Sequence, residues 1–358
     1  MQLELLTLGE LMFDKSFITD CEGPLTLNDN AFELSEHFIE NGGELFKTLS
    51  LYDDYLADIV KKDNYKAGNT LKLILPFFVV ENISNEDLVD FSQNHIYAVN
   101  DSKFLLSYLK DAMNTYIVST SYGQYIEAVS NYMEVPFENT FYTKVNLDKL
   151  TLTDDEIEKI KEFKDLILEN PNDYELFDDI FFSQIAEMGI YENIKDIDVV
   201  GGEGKKLAID EIIKRDNINV NGMLYIGDSI TDVEPLQYAR DNGGLSVSFN
   251  GNEYPLNVAE IAVISNHTIV SSILIDLHSR FDKDYVMDFI REYAEKGPDS
   301  AFNDFEVDYS LVEEFEKVFS NRNIPIIEII TDENREYLLK LSKEMRNSIR
   351  GKDIGGLG

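Results

Sequence analysis

Three short apolar runs in this chain break off at an oxygen-bearing side chain and give way to a turn or a helix-forming stretch. Ser16 to Thr19 stops at Asp20, with Gly23 and Pro24 following; Thr115 to Val118 ends at Ser119, Thr120 and Ser121 before a helix that starts near Gln124; the strand in MLYIGDSITDVEPL stops at Asp228. A short apolar run bounded by turn residues reads as a buried strand. Strands alternating with helices predict an α/β fold, a parallel sheet with helices on both faces. In such a sheet the loops beyond the carboxyl ends of the strands converge, and helix amino ends face the crevice. Asp20, Ser119 and Asp228 are therefore expected to meet there, with Lys205 of GGEGKK nearby.

The remaining pattern divides the chain. Residues 1–14 read as an amino-terminal extension in which Met12 is an alternative start, and 15–29, 99–147 and 195–267 carry the sheet. Residues 30–98 space their apolar side chains at helical intervals in AFELSEHFI, LYDDYLADIV and NEDLVDFSQ, which predicts a helical cap. Residues 148–194 predict a second helical insertion around DDEIEKIKEFKDLIL, whose opening acids suit a helix amino end. Asp198 to Val200 is expected as a strand edge, and GLSVSF and EIAVIS as further strands. Residues 268–358 are expected as a helix-rich extension with one apolar run, Ile324 to Ile330, and a frayed DIGGLG end. Arg346, Arg350, Lys343 and Lys352 are expected to complement the carboxyl end of the terminal helix.

Charge and cysteine usage exclude several classes. Sixty-eight Asp and Glu against 31 Lys and Arg give a formal net charge of -37, a surface that repels nucleic acid and anionic lipid. Cys21 is the single cysteine, so no intrachain disulfide or cysteine-rich zinc site is available, and a reducing cytoplasm is the expected location. Beside Asp20 on a strand, Cys21 should point to the opposite face and lie beneath the site. His37, His95, His267 and His278 are far apart, against a histidine-based metal hydrolase. The apolar run Leu73 to Val80 is interrupted by Pro76 and falls far short of the roughly 20 residues a membrane helix needs, so no membrane insertion is expected.

Two carboxylates, a hydroxyl and a lysine at one sheet edge are what transfer of a phosphoryl group from an ester to water requires. A phosphate monoester is dianionic near neutral pH and repels a carboxylate nucleophile. The site therefore needs a divalent cation and fixed donors around the phosphoryl oxygens. Carboxylate and carbonyl oxygens suit Mg2+.

These residues resemble the haloacid dehalogenase-like (HAD) phosphohydrolases, within them the phosphoserine-phosphatase-like branch. FITDCEGPLT looks like the first family motif, VSTSYGQYI the second, GKKLAIDEI the third, and IGDSITD with GLSVSFN the fourth. The resemblance covers roughly residues 15–266, with gaps. It implies a HAD-like Rossmannoid core with a cap over the site, and it assigns roles. Asp20 is the nucleophile and a Mg2+ ligand; Glu22 is the general acid and base, its carbonyl a further ligand; Ser119, Thr120 and Lys205 hold phosphate; Asp228 ligates Mg2+, and Asp232 supports it or Lys205.

Glu22 stands where the family usually has Asp, and Pro24 where it has Thr. Phosphoserine phosphatases typically use a cap arginine, but the first arginine here is Arg215, so a small phosphorylated metabolite other than phosphoserine is expected. Dehalogenation would use the same nucleophile without metal, and the Asp20, Asp228 and Lys205 set favours the metal-dependent form. The segment FITDCEGPLTLNDNAFELSEHFI also resembles a methanogen protein grouped with a membrane-bound energy-converting hydrogenase. That implies, as the alternative, a weakly active or inactive accessory subunit with hydrogenase subunits as partners. A single cysteine cannot ligate an iron-sulfur cluster, so redox chemistry is not implied.

Overall fold

The computed structural model describes residues 15–110, 112–320 and 324–357; the extension expected over 1–14, and Met12 with it, lies outside the described residues. Seven strands form one sheet: β1 (Ser16–Thr19), β2 (Asn114–Tyr122), β3 (Thr140–Thr143), β4 (Met223–Gly227), β5 (Leu245–Phe249), β6 (Ile261–Ile264) and β7 (Ile326–Ile329). Their order is β3-β2-β1-β4-β5-β6-β7. β1 to β6 pair in parallel, and β7 lies antiparallel on β6, Ile264 opposite Ile326. The α/β class expected from the strand and helix alternation is the class observed.

Every residue of β1, β4, β5 and β6 is buried, as a parallel sheet covered on both faces demands. Alternate side chains feed opposite layers. Phe17, Ile226 and Val247 pack with the helix Ile269–Arg280 on one face. Ile18, Tyr225 and Leu236 pack with the helix Glu203–Asp216 on the other.

Three local expectations need correction. Asp198 to Val200 forms no strand; the Val200 N–H bonds to the Thr143 hydroxyl of the edge strand at 3.1 Å, a side-chain contact in place of a ladder. β3 was not anticipated, because TFYT is four residues long and shows no clean alternation. β2 does not stop at Val118 but runs through the hydroxyl cluster to Tyr122.

The helices Asn30–Phe38, Gly42–Asp54, Leu75–Val80 and Asp154–Glu169 share one apolar cluster that includes Phe32, Leu49, Phe78, Ile160 and Phe163. The stretches 30–98 and 148–194, separate in sequence, thus bury their apolar faces against each other. Capping sets their starts: the Asp29 side chain accepts from Phe32 N, and Thr153 and Glu156 form a reciprocal capping box. Among the described residues no helix is long and apolar enough to cross a membrane.

The carboxyl end departs furthest from expectation. The helix Arg335–Gly355 is broken at Gly351, whose φ of 77° is open to glycine at little cost. Beyond that break the chain turns back. Ile354 and Leu357 pack against the apolar cluster of the 30–194 helices, and Lys47 pairs with Asp353 at 2.5 Å. DIGGLG, as far as Leu357, is therefore anchored rather than frayed.

Candidate active site

β1 and β4 are hydrogen-bonded neighbours in register, Thr19 opposite Ile226, so the residues just past their ends come together. Asp20 still donates its N–H to Ile226 O at 2.9 Å. Its carboxylate accepts from Cys21 N at 2.6 Å through Oδ1 and from Lys205 Nζ at 2.6 Å through Oδ2. Lys205 enters from the first turn of its helix, is 0% exposed, and reaches Asp232 Oδ1 at 2.7 Å as well. One ammonium thus ties two carboxylates.

Asp232 is fully engaged. Oδ1 also accepts from the Tyr225 hydroxyl at 2.7 Å, and Oδ2 accepts from Asp228 N at 2.9 Å and Ser229 N at 3.1 Å. It fixes Lys205 and the backbone that presents Asp228. Oxygens of Asp20, Asp228 and Asp232 lie within 4.8 Å of one another. This hard-oxygen donor set fits a divalent cation such as Mg2+, with Asp232 the member most heavily committed to other partners.

Gly23 permits this closeness. Its φ is +100°, and a Cβ there would lie 2.2 Å from Asp228 Oδ2. Cys21 is buried, its sulfur 3.9 Å from the Thr26 hydroxyl.

The hydroxyl cluster arrives by a bulge. β2 pairs Val118 with Phe141 and next Tyr122 with Thr143, so its intervening residues outnumber those of β3 and bow out of the ladder. Ser119 and Ser121 share a 3.2 Å bond. Thr120 Oγ1 is buried without a hydrogen-bond partner. All three line a cavity of about 100 Å3 together with Asp20, Glu22 and Asp228.

Burial dominates the electrostatics here. It pushes Asp20 up to about 7, with Lys205 opposing and Asp232 and Asp228 adding to the rise. Burial acts against the Lys205 ammonium, yet Asp20 and Asp232 outweigh it and hold its pKa above the ordinary value. Burial and the neighbouring Asp29 push Glu22 well above the usual carboxyl range, although Glu22 Oε1 accepts from Asn30 N at 2.6 Å. A carboxyl whose pKa is raised holds its proton more firmly than usual, as a proton donor must.

The cavity is also lined by Asp53 and Asp54 from the helix Gly42–Asp54, and by Asp29, none of which the sequence singled out. Two further residues were not expected at the site. Arg346 and Arg350, expected to complement the carboxyl end of the terminal helix, are buried with side chains 3% and 5% exposed, and both bond to Asp228 Oδ2, Arg350 at 3.1 Å. Their spacing of four puts them on one helix face, the only trace of this in the sequence.

No family model and no curated protein matches this chain. Among solved structures, gene product AF1437 from Archaeoglobus fulgidus is similar over 96% of this chain and 99% of its own, with 26% identity and a TM-score of 0.78. That likeness extends the architecture, carboxyl-terminal region included, to a second protein. Weaker likenesses include a substrate-bound phosphoserine phosphatase (13% identity, 73% of this chain and 97% of that one, TM-score 0.48). Another is a phosphoserine phosphatase carrying a phospho-aspartyl intermediate analogue (13%, 70% and 93%, TM-score 0.46).

Proposed function

We propose that this protein is a HAD-type, Mg2+-dependent phosphohydrolase that cleaves a small phosphomonoester through an aspartyl phosphate on Asp20. The observation that carries the reading is the convergence of Asp20 and Asp228 past adjacent parallel strands, with Lys205 2.6 Å from Asp20 and the Ser119 to Ser121 bulge on the same cavity. The motif order in the sequence supports it.

In this reading the Asp20 carboxylate attacks phosphorus, the new P–O bond forms as the ester P–O bond breaks, and Glu22 gives its proton to the departing oxygen. Glu22, now ionised, takes a proton from the water that attacks the acyl phosphate, releasing inorganic phosphate and restoring Asp20. Lys205 and the hydroxyls of Ser119 and Thr120 donate to phosphoryl oxygens, and the unpartnered Thr120 Oγ1 is suited to this. Mg2+ held by Asp20, Asp228 and the Glu22 carbonyl would offset the repulsion between carboxylate and phosphate dianion. Asp232 keeps Lys205 and Asp228 in place. Residues 30–98 and 148–194 act as one cap over a core of 15–29, 99–147 and 195–267, in the cytoplasm, with residues 268–358 as an extension.

A second reading, a weakly active accessory subunit, has one observation in its favour: Asp228 is already held by two arginines. The hydrogenase association that the amino-terminal segment implies finds no support in the structural likenesses.

The test is to trap the intermediate. Protein turning over p-nitrophenyl phosphate with Mg2+, quenched in acid and digested, should carry one phosphoryl group on the peptide containing Asp20. Label on another residue, or turnover untouched by Asp20→Asn, would refute the assignment.

A further inference from the structure

Arg346 and Arg350 spend most of their donors on the protein itself. Arg346 reaches Asp228 Oδ2 and Asp228 O through Nη1, Gly355 O through Nε at 3.0 Å, and Leu357 O through Nη2 at 3.0 Å. Arg350 holds Leu27 O through Nε at 3.0 Å, Asn28 O through Nη2, and Asp228 Oδ2 through Nη1. Both guanidiniums border the cavity, but most of their donors are taken within the protein, so a substrate clamp would have to displace these bonds. What they satisfy is the charge of Asp228.

The balance of charge makes this consequential. Three carboxylates, Asp20, Asp228 and Asp232, face three cations, Lys205, Arg346 and Arg350, in direct contact. A buried carboxylate is strongly disfavoured without a cation, and Asp228 has its cation already. A divalent ion arriving at Asp228 meets two guanidiniums of like charge in a site from which water is largely excluded, where such repulsion is weakly screened.

The arginines are also the anchor of the tail. The Gly351 break returns the chain so that the carbonyls of Gly355 and Leu357 sit on Arg346, while Leu357 lines the site cavity and enters the apolar cluster of the cap helices. The same segment thus touches the acid cluster and the cap.

We propose that the carboxyl-terminal tail is a built-in competitor for the divalent cation: Arg346 and Arg350 occupy Asp228, and cation binding there and docking of residues 346–357 oppose each other. The inference rests on the metal-dependent reading above. Occupancy of the site by metal loosens the tail, and the tail's own affinity for the site sets how much Mg2+ the enzyme needs.

The experiment is calorimetric titration of Mg2+ into metal-stripped full-length protein, comparing wild type, Arg350→Met, Arg346→Met and Asp228→Asn. Hydrogen exchange of residues 345–357, with and without Mg2+, is measured in parallel. The proposal expects both methionine variants to bind Mg2+ about tenfold or more tightly than wild type, and Mg2+ to speed exchange in the wild-type tail. Arg350→Met decides the matter if Arg346→Met does not fold, since Arg346 carries more of the tail's bonds. Equal or weaker Mg2+ binding in a folded variant overturns the competition while leaving the metal reading intact. Absence of binding in every chain, or binding that survives Asp228→Asn unchanged, overturns the metal reading at Asp228 and the competition with it.

Discussion

Lys205 Nζ lies 2.6 Å from Asp20 Oδ2 with both side chains buried, and the same ammonium is 2.7 Å from Asp232. This bond links the third of the family-like motifs to the first and makes the lysine a structural as well as a chemical part of the site. Replacing one member of such a cluster leaves buried charge uncompensated. Lys205→Met should therefore lower unfolding free energy by about 3–5 kcal/mol and abolish turnover, read by urea denaturation and phosphate release. A variant as stable as wild type would show that the bridge is energetically idle.

Gly23 faces Asp228 with no room for a side chain, at a φ of +100°. Gly23→Ala adds a backbone cost of about 1–2 kcal/mol and pushes the Asp228 carboxylate aside. Displacements of that kind lower turnover by about 100-fold, so kcat should fall far more than stability does. Steady-state kinetics beside a thermal melt separates the two.

Burial raises Asp53 to about 6 and, with Asp53, Asp58 and Glu253 adding to it, Asp54 to about 8. Between an ordinary carboxyl value near 3.8 and these raised values, the folded chain binds more protons than the unfolded chain. These groups therefore destabilise the fold progressively as pH rises through about 4 to 8, with the loss complete above the raised value. Each tenfold gain in proton affinity on folding corresponds to about 1.4 kcal/mol for a fully buried carboxyl; Asp54 is only partly buried and counts for less. Asp53→Asn should raise the urea midpoint at pH 8 and change it little at pH 4. A uniform change at both pH values would contradict the linkage.

Glu22 is assigned proton transfer to the leaving oxygen. Glu22→Gln should slow hydrolysis of alkyl phosphates by about 10²–10⁴-fold and that of p-nitrophenyl phosphate much less, because nitrophenolate leaves without a proton. An equal loss on both substrates would point to a positioning role.

Asp20, Lys205 and Asp228 were legible because each sits where a short element ends or begins, and Ser119 because a hydroxyl cluster follows an apolar run, signals carried within a few residues of sequence. Their meeting follows from strand order, which alternation with helices constrains. The arginines were not legible in this way. Arg346 meets Asp228 across 118 residues, and its own surroundings read equally well as an ordinary helix end. Gly351, which turns the tail back, stands just before the DIGGLG end that was expected to fray, and nothing in its neighbours marks a turn. Asp198 to Val200 misled because apolar residues beside a glycine turn resemble a strand, while the edge of the sheet was taken by β3, whose TFYT sequence shows no clean alternation.

Phosphate release from a broad panel of monoesters, with Mg2+ and folded protein, compared between wild type and Asp20→Asn, bears most directly on the whole account. The account predicts at least one small phosphomonoester hydrolysed by wild type, with no release by Asp20→Asn above the background without enzyme. Release that persists in Asp20→Asn, or a panel on which folded wild type is silent, would contradict it.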